Sequence, residues 1–143
     1  MLKTYGGFLI SQIGRLSSRT WEQLLKECGV EAFNGAQGRI LYVLWEYEKL
    51  TISDIARLTS MANTTLTSML DRMETEGLVQ RTHDKINRRQ IFVSVTEKAK
   101  QYREQYEQIS DRMNSIFYKN FTETEVVSFE SQLRRILENL EEN

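Results

Sequence analysis

The sequence predicts a mainly α-helical fold: a helix-turn-helix followed by one short β-hairpin, set between long N- and C-terminal helices. Three observations predict it. Apolar residues recur at helical spacing over most of the chain, in Phe8–Leu25, Ile40–Trp45, Tyr102–Phe117 and Val126–Leu140. There is no proline, and six of the seven glycines lie at or before Gly38, so long uninterrupted helices are allowed beyond that point. Only one region reads as paired strands, "LVQRTHD" and "QIFVSV" around the turn "KINRR".

The first helix is expected from about Phe8 to Cys28. Phe8, Ile13, Leu16, Trp21, Leu24 and Leu25 lie along it, and Gly29 is a natural stop in the left-handed region. Gly14 inside it costs roughly 1 kcal/mol relative to alanine, which predicts close packing there. The segment "AQGRILYVLWEYE" is a second helix, buried through Ile40, Leu41, Leu44 and Trp45.

Thr51 and Asp54 form a capping box that opens a short helix to about Leu58. "TSMAN" is a turn, and Asn63 is expected to cap a helix from Thr64 to Glu76, stopped by Gly77. Ile55, Ala56, Leu66, Met69, Leu70 and Met73 point inward. This is a helix-turn-helix, and the hairpin directly after it completes a winged helix-turn-helix. Thr96 caps a long helix to about Asn120. Thr122 and Glu125 form a second capping box, opening a last helix whose residues 126, 129, 133, 136 and 140 make a coiled-coil-like seam. Nothing else in a chain of this size fills that seam, so a second copy is expected to cover it.

The formal net charge is only -1, but its distribution is uneven. From Gln80 to Lys100 six cations face two acids; from Asn120 to Asn143 two cations face six acids. One end therefore suits a polyanion and the other does not. A single cysteine excludes an intramolecular disulfide, the N-terminus lacks the features of a signal peptide, and no apolar run approaches the ~20 residues of a membrane span, so a soluble cytoplasmic protein is expected.

Three segments together resemble the MarR (multiple antibiotic resistance regulator) family: "GAQGRILYVLWE", "LTISDIARLTSMANTTLTSMLDRMETEGLVQR" and "NRRQIFVSVTEKAK". The resemblance covers almost the whole chain. It implies a homodimeric transcriptional regulator, most often a repressor released from DNA by a ligand or an oxidant. It assigns residues 35–96 to a winged helix-turn-helix DNA-binding domain, and 1–34 and 97–143 to dimerisation helices. Three positions depart from the family pattern. Ser68 stands where many relatives carry arginine, Asn87 where an acid usually precedes the wing arginine, and Gly35 where a proline usually opens the second helix.

The expected DNA-contacting residues are Asn63, Thr64, Thr65, Thr67, Ser68 and Arg72 of the second helix of the motif, with Lys85, Asn87, Arg88 and Arg89 of the wing. Asp71 and Arg72 match the family's acidic–basic pair. Double-stranded DNA with a pseudo-palindromic operator is the expected partner. A protein-docking module of the same shape is the alternative; Ser68 and the net charge favour it, and the paired arginines of the hairpin decide against it. A small aromatic effector is expected in a cleft near Trp21, Phe33, Tyr42 and Trp45.

No enzymatic site is recognisable. One histidine, His83, and one cysteine, Cys28, are too few for a metal centre, and no third group orients them as a catalytic pair. No cofactor is expected. Cys28 lies at a helix C-terminus, where the dipole disfavours a thiolate, so oxidation ranks below a ligand as the signal.

Overall fold

A computed structural model describes residues 1–143. In chain order the elements are α1 (Gly6–Glu27), α2 (Gly35–Tyr47), β1 (Lys49–Thr51), α3 (Ile52–Thr59), α4 (Asn63–Thr75), β2 (Val79–His83), β3 (Ile91–Val95), α5 (Glu97–Lys100), α6 (Arg103–Phe117) and α7 (Glu123–Glu141). No helix is long and apolar enough to cross a membrane.

The helix-turn-helix is α3 and α4, and the wing is β2 and β3. Where the sequence suggested a two-stranded hairpin, the sheet has three antiparallel strands in the order β1-β3-β2. β1 sets Leu50 opposite Val93. Its three residues are too few to show alternation, and their pairing with β3 is wholly long-range. The core gathers under α2 and α4. Ile40, Leu41, Leu44, Ile55, Leu66, Leu70, Met73 and Val93 are fully buried. Truncating one of them to alanine costs about 2–5 kcal/mol.

The helix signals act largely as expected. Thr51 accepts from the Asp54 N–H at 3.1 Å while Asp54 accepts from the Thr51 N–H at 3.2 Å. These bonds hold the Asp54 carboxyl below its usual value. Thr122 and Glu125 reciprocate in the same way at the start of α7. Asn34 and Gln37 form a third such box, opening α2. Gly29 and Gly77 take the left-handed conformation, with φ of 68° and 79°, after α1 and α4.

Four expectations need correction. Asn63 does not cap α4: Ala62 holds the cap position, without a side-chain bond, and Asn63 is the first helical residue. The long helix after Thr96 is broken into α5 and α6. At Gln101 and Tyr102 the backbone N–H groups reach back three residues, to Lys98 and Ala99. That tighter turn lets Ala99 bury completely while Arg103 donates to the Trp45 carbonyl and to Glu46, each at 3.0 Å. α6 also ends at Phe117, not at Asn120, whose φ is 69°. Finally, Gly14 is not closely packed within its own chain; nothing in it lies within 4 Å of where its Cβ would be.

Gly35 has a definite task. Its N–H donates to Glu22 Oε1 at 2.7 Å, joining α1 to the first turn of α2. Proline has no N–H to give, and a Cβ at this position would meet Trp21 Cδ1 at 3.2 Å.

The terminal helices leave much of their apolar surface uncovered. α1 buries only Leu24 and Leu25, and α7 buries nothing. Phe8, Leu9, Ile10, Ile13, Leu16, Ile136, Leu137 and Leu140 are all exposed. The turn between α6 and α7 is held by Tyr118, whose hydroxyl donates to Glu130 Oε2 at 2.6 Å.

Burial, and then that bond to the Glu130 carboxylate, push the Tyr118 hydroxyl up to about 12. An unfolded tyrosine ionises near 10. The folded state therefore favours the neutral phenol, and this stabilisation is complete below about pH 10 and lost as pH rises through about 12. Thermal unfolding at pH 8 should show Tyr118→Phe less stable than wild type, with the gap closing by pH 12. A gap independent of pH would mean that the bond carries no stability.

Candidate nucleic-acid interface

The expected contact residues of α4 are all exposed: Asn63, Thr64, Thr65, Thr67, Ser68 and Arg72. Leu66, Leu70 and Met73 face the core, so helical periodicity turns Thr64, Ser68 and Asp71 directly outward. Because Ala62 offers no side-chain cap, the N–H groups of Asn63, Thr64 and Thr65 have no hydrogen-bond partner within the protein. The start of α4 thus presents free donors at the positive end of the helix dipole. Thr67 Oγ1 donates to the Asn63 carbonyl at 2.8 Å, leaving its lone pairs outward.

Asp71 pairs not with Arg72 but with Arg81 of β2. Arg81 Nη2 lies 2.6 Å from Asp71 Oδ1 and 2.9 Å from Glu74 Oε1, and the Arg81 backbone N–H donates to Glu74 Oε2 at 3.2 Å. The guanidinium holds the Glu74 carboxyl below its usual range, and the two carboxylates raise the arginine in turn. One side chain thus partly offsets the charge of the two acids at the end of the outward face and ties α4 to the wing. In the sequence Arg81 is only one of six basic residues between Gln80 and Lys100. Its partners lie seven and ten residues upstream, beyond any i,i+4 signal.

The other basic residues separate into two groups. Lys98 donates to the Glu76 carbonyl at the end of α4, at 3.1 Å, and Lys100 pairs with Glu97 at 2.8 Å. Lys85, Arg88 and Arg89 are exposed, and their side chains make no ion pair within the chain. The backbone that carries them is well fixed. The Asp84 N–H donates to the Gln90 carbonyl at 3.0 Å and the Gln90 N–H to the Asn87 carbonyl at 2.9 Å. Asp84 Oδ1 accepts from the Ile86 N–H at 3.0 Å, and Asn87 Oδ1 from the Arg89 N–H at 3.2 Å. Asn87 therefore shapes the loop through the backbone of Arg89, not through its guanidinium.

The four aromatics expected to line a cleft do converge, but on a side chain. Trp21, Phe33, Tyr42 and Trp45 surround the Tyr106 ring of α6, with centroids 5.1, 6.0, 5.7 and 5.4 Å away. Burial raises the Tyr106 hydroxyl above its ordinary value. Phe33 and Trp45 are core residues, and Tyr42 is half-exposed. An open cavity of about 370 Å³ lies beside this cluster and keeps only Trp21 of the four, with Glu22, Arg39, Tyr106 and Met113. Sequence reasoning missed Arg39 and Tyr106 as site residues. Tyr106 is legible as one apolar position of its helix, whereas only the fold sets Arg39 beside it.

Cys28 is exposed, and Arg112 of α6 donates to its Sγ at 3.1 Å and to Glu27 at 3.4 Å. A sequence separation of 84 residues hides that contact.

Residues 33–91 match the model of the MarR family. Over 90 residues the chain is 31% identical to the organic hydroperoxide resistance transcriptional regulator of Bacillus subtilis (strain 168), an alignment spanning 63% of this chain and 59% of that protein. Two further curated relatives are matched over 40% and 31% of their length. Among solved structures, a mutant MarR from E. coli complexed with operator DNA superposes with a TM-score of 0.81 at 25% identity, covering 92% of each chain. Reduced AbfR bound to DNA gives a TM-score of 0.72 at 28% identity, over 93% of this chain and 90% of that one. With the family segment lying across α2, the helix-turn-helix and the wing, and the whole architecture shared with MarR from E. coli over nine-tenths of its length, the comparisons support a MarR-family winged-helix regulator.

Proposed function

We propose that the protein is a homodimeric, sequence-specific DNA-binding transcriptional regulator, a repressor that a small molecule releases. The observation that carries the DNA reading is the pairing of a helix start rich in free donors with a hydrogen-bonded wing whose Lys85, Arg88 and Arg89 side chains make no ion pair in the chain. α4 would enter the major groove, with Asn63, Thr64, Thr65, Thr67 and Ser68 at base edges or phosphates and Arg72 at the flanking backbone. The wing would set Arg88 and Arg89 at the adjacent minor groove, where narrow A·T-rich sequence concentrates negative potential. The DNA-bound relatives are consistent with this.

The uncovered apolar faces of α1 and α7 support the second copy. Two chains joined there present two recognition helices, which suits a pseudo-palindromic site with half-site centres about 34 Å apart or a small multiple of that.

The cavity beside Tyr106 supports the effector. Arg39 supplies a cation, Trp21 and Met113 supply apolar wall, and the buried Trp21 Nε1 has no hydrogen-bond partner. That set suits an aromatic acid. A ligand acts on DNA binding only through its preference for one arrangement of the dimer. A hundredfold preference shifts the equilibrium by ~2.7 kcal/mol. A second signal, oxidation of Cys28, has one observation in its favour: the Arg112 guanidinium against the sulfur.

Light scattering should find a dimer at micromolar concentration, and a monomer that binds one half-site as tightly would contradict the assembly. Replacing Arg88 and Arg89 together by alanine should weaken binding to all duplexes and flatten the slope of log K against log salt by about 0.9 for each phosphate no longer neutralised. Unchanged affinity with an unchanged slope would remove the wing from the interface. For the signal, operator binding by wild type and Cys28→Ser is titrated with aromatic acids and, separately, with peroxide. Aromatic acids should release DNA from both proteins. Release by peroxide from wild type alone, with no response to any aromatic acid, would reverse the ranking.

A further inference from the structure

The tip of the wing carries a side chain that a purely electrostatic contact does not use. Ile86 is 96% exposed, the most exposed large apolar residue of the chain after Met1. An isolated exposed isoleucine is ordinary on a protein surface. This one is held in place on both sides. Its own N–H is bound by Asp84 Oδ1, and one residue beyond it Asn87 closes a second turn onto Arg89. The strand ends are joined by the Asp84 and Gln90 backbones, and Nδ1 of His83 lies 3.0 Å from the Arg88 carbonyl. Asp84, the one acid of the tip, commits a carboxylate oxygen to the loop itself. Lys85 stands before the isoleucine, and Asn87, Arg88 and Arg89 follow it.

A fixed apolar point among unpaired cations matches the chemistry of a minor groove. Its walls are deoxyribose, its rims are phosphate, and its floor differs between base pairs chiefly by the guanine N2 amino group. We propose that Ile86 seats in the minor groove of the bound duplex and selects A·T pairs by shape, while the neighbouring cations hold the phosphates. An isoleucine offers no acceptor to a guanine amino group. A G·C pair beneath it therefore buries an unpaired donor and crowds the side chain. Other DNA-binding proteins also place apolar side chains in the minor groove, as wedges between base steps that bend the duplex. This inference rests on the DNA-binding reading and adds to the arginines' electrostatic preference for narrow A·T-rich grooves a discrimination by shape against the guanine amino group.

The test separates the two readings. The purified full-length protein first selects duplexes from a random-sequence pool. Failure to enrich any sequence would overturn the DNA-binding reading itself, and this inference with it. In the selected duplex each A·T pair is then replaced singly by G·C or by inosine·cytosine, which keeps the major-groove face of G·C but lacks the N2 amino group. At the pairs under the wing, G·C should weaken wild type about tenfold, a usual penalty for one wrong pair, while inosine·cytosine is tolerated. Ile86→Ala and Ile86→Ser should each lose most of that discrimination, with the salt slope unchanged. A selected site with G·C under the wing, equal binding of the two replacements by wild type, or full discrimination kept by both variants would each overturn the inference.

Discussion

The Arg81 clamp is the constraint on which the arrangement of the reading surface depends. α4 and the wing meet through a short connection, in which Glu76 and Gly77 close the helix and Leu78 enters the core. Thr96 and Lys98, at the start of α5, secure that connection by bonding the Gly77 and Glu76 carbonyls. These bonds hold the start of the wing. Arg81 adds a tie further along β2, bonding Asp71 and Glu74 through its side chain and Glu74 again through its backbone N–H. The same contact settles an electrostatic conflict. Asp71 lies on the outward face of α4, in line with Thr64 and Ser68, where an uncompensated carboxylate would repel a phosphate backbone. Exposed ion pairs contribute little to stability. The clamp matters for geometry and charge at the surface, and hardly for the stability of the fold.

A second constraint sits at the other end of α2. Tyr106 gathers rings from α1, α2 and the loop between them onto α6, so the terminal helices and the helix-turn-helix share one packed cluster. Arg103, one turn earlier, adds bonds to the Trp45 carbonyl and Glu46. Close packing of this kind transmits displacement instead of absorbing it. A molecule in the neighbouring cavity would touch Trp21 and Tyr106 directly, which is how the proposed effector would reach α4 through α2.

What the sequence disclosed follows from the range of the interactions concerned. Both foreseen capping boxes, the glycine stops after α1 and α4, the inward faces of α3 and α4 and the apolar stripe of α7, half-buried at Val126, Phe129 and Leu133 and exposed at Ile136 and Leu140, rest on spacings of three or four residues, and all were legible. β1, the Arg81 clamp, the Arg112–Cys28 contact and Arg103 on Trp45 join residues far apart in the chain, and periodicity carries no trace of them. The Asn63 cap failed for a local reason: Ala62 already takes the extended backbone of a cap, with ψ 142°, which moves Asn63 one place into the helix. Trp21, Phe33, Tyr42 and Trp45 were expected to line a cleft; the fold packs them on Tyr106 instead and opens a cavity on the Arg39 side that keeps only Trp21 of the four.

The clamp is tested most directly by asking whether its carboxylates are what it restrains. Binding of a selected duplex is measured for wild type, Arg81→Gln, the Asp71→Asn/Glu74→Gln pair, and all three substitutions together. The amide forms keep the shape of the acids and remove their charge. Coupling should be strong: Arg81→Gln alone weakens binding about tenfold or more, and adding the two amides restores most of the affinity. An equal weakening by Arg81→Gln with and without its acidic partners would contradict the account, because Arg81 would then act on DNA itself and not through the residues it holds.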